Sequence, residues 1–277
     1  MRSDWRPALD IPEGKQGKFR IEHRVFGPGE AIPLINQRTA IFRGCKPANI
    51  KYDVPVRFHY LTEDGGTWTS DVPQEQEQQA RAVMGFTGEV LVGGLGIGMI
   101  AHILAEMRMV RRIVIVEKQK EVIDLVWPHI QKELHGKGEI VHANLFQYLR
   151  ETDENFNYAF YDIWTSDGER TLKEYVLPLR KLSERIVEDD HIKCWNEDVM
   201  WGQIHWGLHS KCAFAIKEMK AMGEKQFKYW DDDITGPFWR WVRDKDIKKN
   251  RAVASITRYV EQYQKTRAWK RTWEAYV

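Results

Sequence analysis

The sequence predicts an α/β fold built on a parallel sheet, and three observations predict it. Apolar runs too short for helices, at 90–92, 113–116 and 158–161, alternate with longer segments of helical periodicity. The first run enters a glycine loop, Gly93-Gly94-Leu95-Gly96-Ile97-Gly98, and a helical pattern leaves it. The second run closes on an acid, Glu117. Strands that alternate with helices build a parallel sheet covered on both faces.

Residues 1–72 read as a β-rich piece, a small hairpin domain or lid. Turn signals at Gly27-Pro28-Gly29 and Glu63-Asp64-Gly65-Gly66 separate short strands at 39–42, 56–61 and 67–69. A helix then starts near Asp71-Val72-Pro73, with Asp71 as its cap, Pro73 in its first turn and Gly85 at its end. Its polar run from Gln74 to Gln79 predicts a solvated face that includes Glu75. Within 73–200 the βα units follow: strand 90–92, helix 99–109, strand 113–116, and helix 120–134, kinked by Pro128 and stopped by Gly136. Strand 139–142, a short helix at 145–150, strand 158–161, helix 171–186 and a fifth strand at 191–195 complete the pattern. Residues 201–277 break it. They carry seven of the twelve tryptophans, and 240–277 holds eleven Lys or Arg against four Asp or Glu, so a helical, basic, aromatic-rich tail is expected.

Composition excludes several classes. The chain has 277 residues, 43% hydrophobic and 30% charged, an ordinary globular balance with room for a sizeable core. A net charge of +2 creates no global field that demands nucleic acid or a membrane. Cys45, Cys194 and Cys212 form no CxxC pair and suit a reducing compartment. The amino terminus lacks the apolar core of a signal peptide, and no apolar run approaches the ~20 residues of a membrane span. A soluble, cytoplasmic protein is expected.

The segment from Glu89 to Glu117 carries most of the functional reading. Glycines let a backbone approach a ligand closely, and a helix start offers unpaired N–H groups. An acid at the tip of the next strand accepts the hydroxyl protons of a ribose. The dinucleotide fingerprint needs glycines at its first, third and sixth positions, and Met99 stands where the sixth belongs. The spacing is instead Gly94-x-Gly96-x-Gly98. With it, the chain resembles the class I, Rossmann-like methyltransferases that bind S-adenosylmethionine, and within them the spermidine-synthase-like branch. Glu89 to Gly98 resembles that branch's first motif and Ile113 to Ile123 its second, and the β-rich amino-terminal piece agrees in layout. The resemblance covers about residues 67–195 and rests on four short motifs.

It implies an S-adenosylmethionine cofactor, or its decarboxylated form. Gly93, Gly94, Leu95, Gly96 and Gly98 would meet the amino-acid moiety, Glu117 with Lys118 the ribose, and Asn144 with Leu145 the adenine. Asn stands where the family more often has Asp, and a turn-forming Asn is the alternative. Phe156 to Asp162 is similar to the fourth-strand motif of spermidine synthases, with Asp162 at the catalytic carboxylate. Asn157 departs from an Asp common at the strand's start, and Ile163-Trp164-Thr165 replaces a small polar run. A capping role for Asp162 is the competing reading. Trp164 can wall the pocket or belong to the core. Asp71 and Glu75 could meet a cationic substrate.

Three functions follow: methyl transfer to an unidentified acceptor, aminopropyl transfer to a polyamine, or cofactor binding without catalysis. His205, His209 and Cys212 could share one helix face and meet a metal, but Gly207 weakens a helix there and no metal is expected. The tail's basic residues could contact nucleic acid, although a buried stripe of Ile256, Tyr259 and Tyr263 with a solvated charged face is the simpler account. A homodimer is compatible with the sequence, and no membrane partner is expected.

Overall fold

The computed structural model describes residues 9–32, 50–221 and 234–265. The strand expected at 39–42 lies outside these, as do Trp230, Trp269 and Trp273. The chain forms two compact units, one of residues 1–165 with 179–195, the other of 166–178 with 196–277.

The first unit holds two sheets. Strands β1 (Gly14–Gln16), β2 (Phe19–Phe26), β3 (Val56–Glu63) and β4 (Gly66–Ser70) pair antiparallel in sequence order. Helix α1 (Pro73–Ala82) leads to β5 (Gly88–Gly93), α2 (Met99–Glu106), β6 (Val110–Glu117), α3 (Lys120–Ile130), β7 (Gly138–His142), α4 (Leu145–Glu151), β8 (Tyr158–Tyr161) and β9 (Ile192–Cys194). The second sheet is parallel throughout, in the order β7-β6-β5-β8-β9. Numbered from its own first strand this is 3-2-1-4-5, a doubly wound order. The fold is α/β, as the alternation of strands and helices predicts. Val90 to Val92 and Ile113 to Val116 are buried along their whole length, which is why these strands read as apolar runs and not as alternating ones.

One core joins both sheets. Phe19, Ile21 and Leu61 from the antiparallel sheet pack in one cluster with Val90, Val92, Ile113 and Ile115. The segment 1–72 therefore shares its core with the parallel sheet. A smaller cluster of Phe26, Val56, Phe58, Tyr60 and Val72 fills the other face of β3.

Three local expectations are corrected. Pro128 lies two residues before the end of α3, where the backbone tightens into the 3₁₀ turn Gln131–Leu134. The helix expected over 120–134 is therefore α-helical only to Ile130 and a 3₁₀ turn beyond it. The helix expected over 171–186 is composite: a turn at Glu169–Thr171, a π-helical insert Leu172–Val176 and a final α segment Leu177–Ser183. Asp71 does not cap α1, whose cap position is Val72 with no side-chain bond.

The second unit is helical. In chain order the turn Glu169–Thr171 is α5 and the segment Leu177–Ser183, which from residue 179 on belongs to the first unit, is α6; the main elements of the second unit are α7 (Glu197–Ala221), α8 (Gly236–Asp244) and α9 (Lys249–Lys265). Phe238, Trp239 and Val242 of α8 are buried, together with Ala252, Ile256, Val260 and Tyr263 of α9. Arg251 and Arg258 are exposed, so the described part of the tail has an inward aromatic stripe and an outward basic face. Among the described residues no helix is long and apolar enough to cross a membrane.

Candidate functional site

The carboxyl ends of β5, β6 and β8 bring the glycine loop, Glu117 and Asp162 together. Strand β5 ends at Gly93, whose carbonyl accepts the Asp162 N–H at 3.0 Å, and the Gly94 N–H donates to the Val116 carbonyl at 2.9 Å. Gly94 holds φ +96°, and a Cβ there would stand 2.5 Å from the Asp162 carbonyl oxygen. No other residue type combines that backbone conformation with that approach. The same geometry fixes Asp162 beside the loop, half-buried, at the end of β8.

Gly96 has φ +53°, and its Cβ position lies 3.3 Å from the Thr69 methyl group. The loop is thus bounded by β8 on one side and by the end of β4 on the other. Helix α2 opens directly after the loop, with Gly98 at its cap position in the left-handed region. Its first-turn N–H groups have no partner within the helix. Leu145 is buried against Gly93, so it supports the loop from beneath.

Glu117 is 7% exposed. One carboxylate oxygen accepts the Leu95 N–H at 2.9 Å and the other accepts the Gln119 N–H at 2.7 Å. The acid therefore lashes the glycine loop to the tip of β6, and each oxygen retains a second lone pair. Lys118 is exposed, and its carbonyl accepts from His142 Nε2 at 3.1 Å.

Asn144 caps α4: its Oδ1 accepts the Phe146 N–H at 2.9 Å and the Gln147 N–H at 3.4 Å. The oxygen proposed for an adenine amino group is engaged by backbone, as the turn-forming alternative has it. Asn157 is likewise structural, bonding the Glu89 N–H at 2.8 Å through Oδ1. Trp164 is half-buried two residues beyond Asp162.

Glu75 differs most from its expected solvated role. It is half-buried, and its carboxylate accepts from the Thr69 hydroxyl at 2.7 Å, the Ser70 hydroxyl at 2.8 Å and the Ser70 N–H at 3.1 Å. Burial pushes its pKa up to about 7, against these three bonds and with help from the nearby Asp71 charge. Because Thr69 also abuts Gly96, Glu75 lies one residue removed from the glycine loop.

Asp71 is fully buried. Its two oxygens accept from the His59 backbone N–H at 2.6 Å and bond His59 Nδ1 at 2.7 Å. His59 is itself buried, across from His23 in the β2–β3 register, with the rings 4.7 Å apart. Sequence reasoning missed this pair. The available signal was a histidine inside an apolar strand, where an imidazole needs a polar partner.

The chain matches no protein-family model and no curated protein. Among solved structures it is similar to the spermidine synthase of Thermotoga maritima, at 17% identity and TM-score 0.38 over 65% of this chain and 54% of that one. A spermidine synthase in complex with the transition state analogue AdoDATO gives 16% identity and TM-score 0.40 over 65% of this chain and 56% of that one. A precorrin-6y C5,15-methyltransferase from Geobacter metallireducens gives 12% and 0.31 over 39% of this chain and 55% of that one. The chain spans about half the length of each of these proteins. At such scores the fold assignment rests on the strand order itself.

Proposed function

We propose that the chain binds S-adenosylmethionine and transfers its methyl group to an acceptor not yet identified. The observation that carries the reading is the left-handed glycine loop at the end of β5, tied through Leu95 to Glu117 and pressed against Asp162. In open α/β sheets, ligands bind outside the carboxyl ends of the strands where strand order reverses. Here β6 and β8 flank β5 on either side of that reversal.

The residues fit such a cofactor. The missing side chains at Gly94 and Gly96 let the loop close against the Asp162 carbonyl and the Thr69 methyl, which fixes its shape, and the start of α2 offers N–H donors. Glu117 has lone pairs left for ribose hydroxyls. The cofactor supplies an electrophilic carbon on a sulfonium, which needs little covalent work from the protein. The chain's own task is to hold an acceptor in line with that carbon, and positioning of this kind provides most of the acceleration. Asp162 would orient the acceptor or take its proton.

Aminopropyl transfer from the decarboxylated cofactor is the second reading, favoured by the carboxylate of Asp162 directly after β8. Calorimetric titration with S-adenosylmethionine, its demethylated product, decarboxylated S-adenosylmethionine and NAD separates the two. Binding of the methionine form, weakened at least tenfold in Glu117→Ala, supports methyl transfer. Preference for the decarboxylated form moves the assignment to aminopropyl transfer. No binding by any of the four overturns the cofactor site. Asp162→Asn that keeps affinity and loses turnover separates an enzyme from a binder.

A further inference from the structure

We infer that His205 and His209, on one face of α7, form a binding site for a divalent transition-metal ion such as Cu²⁺, Ni²⁺ or Zn²⁺. The site belongs to the second unit and is independent of the proposed cofactor reading. Residues four apart on a helix are neighbours on its surface, and two imidazoles at that spacing are a recurrent metal-ligand arrangement. The sequence objection was Gly207, which lies between them. The structure removes it: α7 runs unbroken from Glu197 to Ala221, through Gly207. The two rings are 4.6 Å apart between centroids and inclined by 44°, so they lie side by side on one face of the helix without parallel stacking.

The third observation is an outer partner. His205 Nε2 lies 3.1 Å from the Thr257 hydroxyl, on α9. A metal-binding histidine gives one ring nitrogen to the ion and its other N–H to an oxygen acceptor, which fixes tautomer and ring direction. Thr257 is placed to be that acceptor, leaving Nδ1 of His205 with the lone pair. Both imidazoles are half-buried, and imidazole nitrogen selects the borderline ions over Mg²⁺ or Ca²⁺. Two protein ligands leave the remaining positions to water or an external ligand, one protein ligand fewer than in open catalytic zinc sites.

The test uses the full chain, freed of any affinity tag and of metal, titrated separately with Cu²⁺, Ni²⁺ and Zn²⁺. The parent is expected to bind one equivalent with micromolar affinity, tightest for Cu²⁺, as the general order for nitrogen ligands requires. His209→Ala should weaken this at least tenfold while melting like the parent without metal. Thr257→Val should weaken it by a smaller factor, since it removes orientation and no ligand. Saturating Zn²⁺ should raise the melting temperature of the parent and leave His209→Ala unmoved. Parent protein that takes up no metal, or His209→Ala that binds as tightly as the parent, overturns the site. Binding that is lost in Cys212→Ser and kept in His209→Ala overturns it equally.

Discussion

Glu75 shows how a single carboxylate can be misread from its neighbours in sequence. It stands in a run of Gln and Glu that predicts a wet helix face, yet Thr69 and Ser70 of β4 fold back over it. With its pKa pushed from the ordinary 4.5 to about 7, the folded chain holds a proton that the unfolded chain releases across that interval. The stability linked to Glu75 is therefore fully present below the unfolded pKa and lost as pH rises through the folded one. We expect the urea midpoint of the parent to fall between pH 5 and pH 8, with an effect on the order of 2 kcal/mol, and that of Glu75→Gln to change less. Equal slopes for the two proteins would remove the assignment. Glu117 presents the opposite case, because its place beside the loop was legible. An acid at a fixed distance after a glycine loop can be read from spacing alone, and its carboxylate does meet the loop. What spacing could not show is that the bond joins Glu117 to Leu95 N–H, so Glu117→Gln should loosen the loop as well as any ligand. Hydrogen exchange at Leu95 and Gly96 should quicken in that variant, and unchanged protection would count against the tether.

At the scale of elements, periodicity made the β5–α2–β6 unit legible. Its strands are buried on both faces and its loop needs glycines, and both demands write themselves into residue type. The turn into α1 was not legible. Asp71 has every local mark of a helix cap, but His59 competes for it, and the pairing of His59 with Asp71 depends on where β4 ends against β3. No local pattern encodes that contact. Helix α7 supplies a cleaner test of local rules. Gly207 lies in its interior, and a Cβ there would meet nothing within 4 Å. Gly207→Ala should stabilise the second unit by about 0.5–1 kcal/mol, the difference in helix propensity, seen as a higher melting temperature. A neutral or destabilising result would mean the helix is interrupted at this point. Asn144→Ala should cost about 1 kcal/mol through loss of the α4 cap.

For the molecule as a whole, the composition of the core decides what can fold alone. Sequence punctuation placed a boundary near residue 72, because turns and short strands give way there to βα units. Packing crosses that line: Phe19, Ile21 and Leu61 belong to the same buried cluster as Val90, Val92, Ile113 and Ile115. Such contacts join residues far apart in the chain, and neither propensity nor periodicity carries them. Beyond residue 195 the sequence named the kind of surface and not the topology, since an aromatic stripe says which face is buried but not which helix covers it. The shared core makes a strong claim about cooperativity in the first unit. Phe19 is 0% exposed, and Phe19→Ala should cost about 3–5 kcal/mol. That loss should appear in the parallel sheet and not only in the hairpins: amide exchange at Val90, Leu91 and Val92 should accelerate with that in β2 and β3. A separate lid would give another result, with fast exchange confined to residues before 72 and β5 as protected as in the parent. The distinction bears on the proposed cofactor site directly, because Thr69, bonded to Glu75, meets the glycine loop only while both sheets hold one core.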